Sequence, residues 1–90
     1  MRIKVGVMGA AGGKMSPRAK MLSYKLGKAV AEAGCVVVTG GCPGLPFEAT
    51  RGAKEAGGLT IGVSPGLNYH EHVHLYKSPV EYLDILIYTG

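Results

Sequence analysis

The chain has 90 residues, of which 47% are hydrophobic and 18% charged, so it is expected to form a single globular domain spanning residues 1–90. No apolar run approaches the roughly 20 residues that span a bilayer, and the N-terminus lacks the apolar core of a signal peptide, which predicts a cytoplasmic protein with no membrane association. Ten Lys and Arg against six Asp and Glu favour anionic ligands. Nucleic acid is not an expected partner, because these basic residues are scattered.

The first predicted unit is a strand followed by a helix. An apolar run predicts a strand at residues 3–8, and residues 16–33 have helical spacing, with Ser16 as N-cap and Pro17 at the first helical position. Gly34 is expected to end this helix. The apolar positions that predict its buried face are Leu22, Leu26, Ala29, Val30 and Ala33.

Further apolar runs complete the predicted sheet. Strands are expected at residues 35–39, 59–63 and 83–88, with a second helix at residues 46–56. Residues 64–79 have no regular period and predict a long loop with at most a helical turn, a length that is often functional. Small residues form the expected inner face of the second helix: Ala49, Gly52, Ala53 and Ala56.

The alternation of strands and helices predicts an α/β architecture. It indicates a parallel sheet of three to four strands with two right-handed crossover helices, an incomplete form of the three-layer Rossmann-like fold. In the strand order 3-2-1 both helices cover the same face. Val36, Val37 and Val38 are nevertheless consecutive, as in sheets buried on both faces. The second face is therefore expected to be covered by a partner subunit in a homo-oligomer, or by the rest of a larger domain.

Each of the first three strands ends in a glycine-rich turn: the first turn (residues 9–14), the second turn (40–44) and the third turn (64–66). Ligands of open α/β sheets bind at the carboxyl ends of the strands, and backbone amides at a helix start suit a phosphate. One shared phosphate or nucleotide site is predicted. Its candidate residues are Gly9, Ala10, Gly12, Gly13, Lys14, Arg18, Thr39, Gly40, Gly41, Gly44, Glu48, Pro65 and Gly66.

Local structure offers a plainer explanation for each of these features. Lys14 and Arg18 stand at a helix start that disfavours cations, so a bound anion would offset them, but they could also be solvated residues of an exposed turn. A tight turn would explain one glycine with positive φ in the second turn, but this turn has three glycines, which favours the phosphate. For Glu48 the plainer explanation is that an acidic residue stabilises the first turn of a helix by itself. The first turn is neither a dinucleotide fingerprint nor a Walker A loop, because Val7 and Met8 stand where these motifs require glycine.

Histidines alternate at positions 70, 72 and 74. On a strand they would share a face and could bind a metal, but no cysteine or acidic residue is spaced to complete such a site. Neither a metal nor a cofactor is predicted.

Three segments, residues 36–41, 44–53 and 57–66, resemble the Lonely Guy family, and the similarity extends over the whole chain. Members are Rossmann-like nucleotide-binding proteins, related to molybdenum-cofactor carriers and long labelled as lysine decarboxylases. Residues 68–73 and 84–90 look like a branch described only as nucleotide-binding. The resemblance implies a nucleotide-binding domain.

The characterised enzymes of that family are phosphoribohydrolases, which cut the N-glycosidic bond of nucleoside 5′-monophosphates. Their catalytic arginine and Pro-Gly-Gly-x-Gly-Thr-x-x-Glu motif follow the segment that corresponds to residues 87–90, so the resemblance covers the N-terminal half of the family domain and carries over no catalytic residue. It implies binding of a nucleoside monophosphate or similar phosphorylated small molecule. The alternatives are a fragment or subunit of a phosphoribohydrolase, and a self-associating structural domain.

Overall fold

A computed structural model describes residues 2–90. Strands and helices alternate as predicted: β1 Lys4–Gly6, α1 Pro17–Glu32, β2 Val36–Thr39, α2 Leu45–Glu55, β3 Thr60–Ser64 and β4 Ile85–Tyr88. A turn of π-helix, Glu71–Leu75, lies within the predicted loop. Strand β1 is shorter than expected, although the amide of Val7 still donates to the carbonyl oxygen of Val38 at 2.8 Å.

The four strands form one parallel sheet in the order β1-β2-β3-β4. Val37 lies between Val5 and Thr60 in the register, and Ile61 lies between Val38 and Ile85. This arrangement confirms the predicted α/β class, the Rossmann-like topology and the strand order.

Both helices lie on the same face of the sheet, where the core forms between β1, β2 and α2. Its buried apolar residues are Val7, Val37, Ala49 and Ala53. The two helices approach so closely that a Cβ on Gly27 would lie 1.8 Å from the carbonyl oxygen of Ala49. The helix–helix contact therefore requires glycine rather than a larger apolar residue.

The predicted buried face of the first helix is wrong at four of its five positions, because Leu22, Leu26, Ala29 and Ala33 are exposed. Leu22 and Leu26 are 56% and 48% exposed, whereas Gly27 is buried and Val30 is half-buried. The reason is the tight helix contact, because α1 turns its small residues toward α2 and leaves the leucine stripe outside. Ser23 assists this contact by donating its hydroxyl to the carbonyl oxygen of Leu45 at 2.5 Å.

The opposite face of the sheet has no helix on it among residues 2–90. Side chains alternate along a strand, so Val37 and Val38 point to opposite faces of the sheet. Val37 faces the helices, whereas Val38 and the residues paired with it on the neighbouring strands face the other way. The Cα atoms span 35 × 33 × 17 Å, a slab one sheet and one helix layer thick. We call the face of the sheet without helices the bare face. It is formed by Val38, Ile61, Val63, Ile85 and Ile87.

Strand β4 is held by a polar contact at its start. The carboxylate of Asp84 accepts from Lys54 Nζ at 2.8 Å and from the amide of Thr60 at 2.9 Å. Burial raises the pKa of Asp84, but these hydrogen bonds together outweigh it and hold the pKa below its ordinary value. The contact joins the end of α2 to the last two strands.

No helix within residues 2–90 is long and apolar enough to cross a membrane.

Candidate functional site

The first turn lies directly against the start of α2. The amide of Leu45 donates to the carbonyl oxygen of Ala10 at 2.9 Å, and Gly9 lies beside the Leu45 side chain. Gly44 has φ +87°, and a Cβ there would lie 2.2 Å from the same Ala10 oxygen. The first amide of α2 is therefore occupied by the first turn.

The second turn is closed by a hydroxyl. Thr39 Oγ1 accepts from the amide of Gly41 at 3.0 Å, and Gly41 has φ +67°. A side chain on Gly41 would meet the ring of His72 at 3.2 Å. Turn geometry and packing thus account for Thr39 and Gly41 without a ligand, while Gly40 lies beside a cavity.

The third turn packs against a buried histidine, His72, which the sequence analysis considered only as one of three possible metal ligands. Ser64 Oγ accepts from the amide of Gly66 at 3.0 Å and lies 2.7 Å from His72 Nδ1, and His72 Nε2 lies 2.7 Å from the carbonyl oxygen of Pro79. A carbonyl oxygen can only accept, so Nε2 donates to it, and in the neutral ring Nδ1 then accepts from the serine hydroxyl. The fully buried His72 therefore fixes the loop on the third turn.

The three histidines do not share a strand face. They occupy the helical turn, where the rings of His70 and His74 stand 4.6 Å apart and His72 points into the protein. Among residues 2–90, no group of three metal-binding side chains comes together.

The starts of the two helices differ in charge. At α1, Ser16 Oγ accepts from the amide of Ala19 at 3.0 Å, and the first turn of the helix has no acidic residue. Lys14 and Arg18 are exposed and take part in none of the ion pairs found within residues 2–90. This helix start therefore presents uncompensated positive charge.

At α2, Glu48 is engaged within the helix. Arg51 donates to its carboxylate at 2.6 Å, and the same guanidinium lies 3.4 Å from Glu55 and 4.4 Å from the Tyr24 ring centre. The hydrogen bond to Glu48 raises the pKa of Arg51 above its usual value, despite partial desolvation. The carboxylate of Glu48 is thus neutralised where it stands.

Two cavities flank the second turn. A cavity of about 510 Å³, which the sequence did not suggest, lies between its Pro43–Gly44 end and the loop around Lys77. The other, of about 350 Å³, opens on the bare face at the ends of β1 and β2. It is lined by Gly6, Val7, Met8, Val38, Thr39, Gly40 and Val63.

The chain is similar to proteins with a named ligand. The sequence model of the SLOG cluster4 family matches residues 2–90. The Moco carrier protein from Chlamydomonas reinhardtii is 36% identical, with a TM-score of 0.84 over all of this chain and 51% of its own. The molybdenum cofactor binding protein from the phototrophic bacterium Rippkaea orientalis is also 36% identical, with a TM-score of 0.81 over all of this chain and 51% of its own.

An uncharacterised protein from Archaeoglobus fulgidus is 33% identical over 63 residues, which are 70% of this chain and 40% of that protein. The chain thus spans about half the length, or less, of these relatives.

Proposed function

Since the chain belongs to the SLOG cluster4 family, we propose that it binds a nucleotide or a similar phosphorylated small molecule at the glycine-rich edge of its sheet. The observation that carries this proposal is the start of α1, where a glycine-rich turn leads into a positively polarised helix end with two unpaired basic side chains. Such an arrangement is stabilised by a bound anion.

The phosphate is proposed to bind at the start of α1 rather than at α2. At α2 the first amide already donates to Ala10, and the basic side chain beside this helix start, Arg51, is already paired with Glu48. At α1, Lys14 and Arg18 can each donate a charge-assisted hydrogen bond to phosphate oxygens. Of the candidate residues, these two are the ones that we expect to determine affinity.

The ring system of the ligand is proposed to occupy the cavity of about 350 Å³. This volume lies within the range of small-molecule sites, and the lining combines the apolar residues Val7, Met8 and Val38 with Thr39 and Gly40 of the second strand end. The cavity is bordered by the strand that leads into the first turn and by the second turn itself. A ligand with a flat apolar part and a phosphate fits both features.

Two ligand classes satisfy this description. The resemblance to the Lonely Guy family favours a nucleoside monophosphate. The two solved relatives named for the molybdenum cofactor favour that cofactor, which is itself a phosphorylated small molecule. We propose binding without hydrolysis, because the resemblance assigns no catalytic residue to these 90 positions.

Isothermal titration with AMP tests the proposal. We expect saturable binding that inorganic phosphate weakens by competition, and no release of free adenine. The variant Lys14→Ala/Arg18→Ala should bind AMP at least about tenfold more weakly, since a tenfold loss corresponds to 1.4 kcal/mol and two charged hydrogen bonds are removed.

The matched control is Lys25→Ala/Lys28→Ala, which removes the same charge from exposed positions farther along α1. Its affinity should stay within about twofold of the parent, because screened charges at a distance contribute little. An equal loss of AMP affinity in both variants would show that the effect comes from net charge and not from the start of α1. The absence of binding heat at millimolar AMP and at millimolar phosphate would contradict the proposed site.

A further inference from the structure

We infer that His72 is a pH-sensitive switch, which holds residues 71–82 against the third turn while its ring is neutral and releases them when the ring gains a proton. We call residues 71–82 the switch segment. The contacts of the switch lie between described residues and involve no ligand. Its failure would therefore leave the proposed function standing.

The ring of His72 joins three parts of the chain. It is fully buried, with Nδ1 2.7 Å from Ser64 Oγ at the end of β3 and Nε2 2.7 Å from the carbonyl oxygen of Pro79. Its Cε1 atom is so close to the second turn that a Cβ on Gly41 would lie 3.2 Å away. One side chain therefore fastens the switch segment to the second and third turns.

The neutral ring suits the hydrogen bonds around it. Ser64 Oγ accepts from the amide of Gly66 at 3.0 Å and gives its single hydrogen to Nδ1 of the ring. A protonated ring donates from both nitrogens, so Nδ1 and the serine hydroxyl would each present a hydrogen to the other. The hydroxyl would have to turn away and lose its acceptor, which is costly in a buried site.

The neighbouring elements place no counter-ion beside this ring. None of the ion pairs within residues 2–90 includes His72. The titratable side chain that faces the ring from β4 is Tyr88, with 6.5 Å between the ring centres, and Cys42 of the second turn has its sulfur beside Gly40. A proton on His72 would therefore be a buried charge without a partner, which is strongly unfavourable.

The charged groups of the surrounding loop are also engaged elsewhere or exposed. The carboxylate of Glu71 accepts from the amide of Leu67 at 2.9 Å, and the rings of His70 and His74 stand against each other. The remaining charged residues, Lys77 and Glu81, are exposed and line the cavity of about 510 Å³. The charge state of His72 is therefore decided by its burial and its two hydrogen bonds.

The switch segment holds backbone strain that its release would relieve. Lys77 and Tyr82 have φ of +53° and +65°, and among residues 2–90 they are the non-glycine residues in the left-handed region. They lie on either side of Pro79, and such conformations persist only where surrounding contacts fix them. Since Lys77 and Pro79 line the larger cavity, release of the segment would reshape that cavity.

Nuclear magnetic resonance of the ¹⁵N-labelled 90-residue chain at about pH 7.5 and about pH 5 tests the switch, because histidine in water gains its proton near pH 6.5. At the higher pH we expect hydrogen on Nε2 alone in the His72 ring and slow solvent exchange of the buried Gly66 and Ser78 amides.

The closed state holds the neutral ring and the open state binds the proton, so closure is lost as the pH falls. Corrected for intrinsic exchange, the protection of the Gly66 and Ser78 amides should drop at least about tenfold, since each pH unit below the histidine range favours the protonated state about tenfold. The amide of Val37, which donates to the carbonyl oxygen of Leu59, should keep its protection.

His72→Asn separates the proton from the contact. Its amide oxygen can replace Nδ1 as acceptor for Ser64 but gains no proton, so the protection of the switch segment should be equal at both pH values. The matched control, His70→Gln/His74→Gln, removes the other two imidazoles of the same turn and should respond to pH like the parent. If circular dichroism shows that His72→Asn does not fold, His72→Gln replaces it, with a donor for Pro79.

Three results would overturn the proposal. One is a parent whose switch segment is equally protected at both pH values. Another is a His72 ring that carries both hydrogens while the Gly66 and Ser78 amides stay protected. The third is a pH response that disappears in His70→Gln/His74→Gln or persists in the folded His72 variant.

Discussion

The two helix starts of this chain both follow glycine-rich turns, yet they differ in what they leave open. The start of α2 is closed, because Ala10 accepts its first amide, Gly44 has no room for a side chain, and Glu48 is paired with Arg51. The start of α1 is open and carries unpaired positive charge at Lys14 and Arg18.

The difference teaches that a glycine-rich turn before a helix has two physical uses. At α2 the glycine allows two backbone segments to touch, and at α1 the glycines leave backbone and basic side chains accessible. A glycine-rich turn before a helix therefore predicts a ligand site only when no neighbouring turn occupies the start of that helix. The predictions below test this contrast.

The largest effect is expected from Gly44→Ala. Alanine must adopt φ +87° and place its Cβ 2.2 Å from the oxygen of Ala10, so we expect a loss of more than about 3 kcal/mol of unfolding free energy, of the order of half the stability of a domain this size. Urea denaturation measures it.

Gly13→Ala is the matched variant on the open side. Its φ is +81°, but no atom lies within 4 Å of the added Cβ, so the cost should be the backbone strain alone, about 1–2 kcal/mol. Equal losses at the two glycines would show that the start of α2 is not closed by contact, and the contrast would fail.

Ser16→Ala should cost about 1 kcal/mol, because its hydroxyl caps the amide of Ala19 at 3.0 Å. The same urea experiment measures this loss. If α1 is the phosphate site, AMP should also raise the denaturation midpoint of Ser16→Ala, since the ligand contacts come from other residues. A Ser16→Ala protein that unfolds at the parent midpoint would show that the cap contributes nothing.

The smallest effect concerns the other end of α2. Because the folded pKa of Asp84 lies below its unfolded value, its stabilisation is present above the unfolded pKa and is lost as the pH falls through the folded pKa. Lys54→Met should remove part of this acid dependence, at a cost of about 0.5–1 kcal/mol at neutral pH for a pair whose side chains are 33% and 30% exposed. Denaturation midpoints of the parent and the variant, measured from neutral to strongly acidic pH, check this prediction. If the variant has the same pH profile as the parent, the Lys54–Asp84 pair is not the source of the acid dependence.

The sequence predicted the elements closely wherever local signals agree. Ser16 and Pro17 mark the start of α1, Gly34 with φ +78° ends it, and the run of valines at 36–38 forms one of the two inner strands. The alanines of α2 are buried as expected. Each of these depends on residues close together along the chain, which is why one sequence suffices.

The leucines of α1 and the contact between the first two turns could not be predicted in this way. Leu22 and Leu26 fit a buried stripe, but the glycine contact between Gly27 and Ala49 rotates them outward. Likewise, no local pattern connects His72 with Ser64 and Pro79. The three turns do lie along one edge of the sheet, but the assignment of individual residues to the binding site remains a prediction.

The sequence by itself determined the strands, the helices, their order and the glycine-rich edge, because periodicity, caps and turn residues act over a few positions. Only the tertiary structure decided which helix start is closed and which face of α1 is buried. These outcomes depend on how closely backbones can approach across the fold, and that distance is set by contacts between residues far apart in the chain.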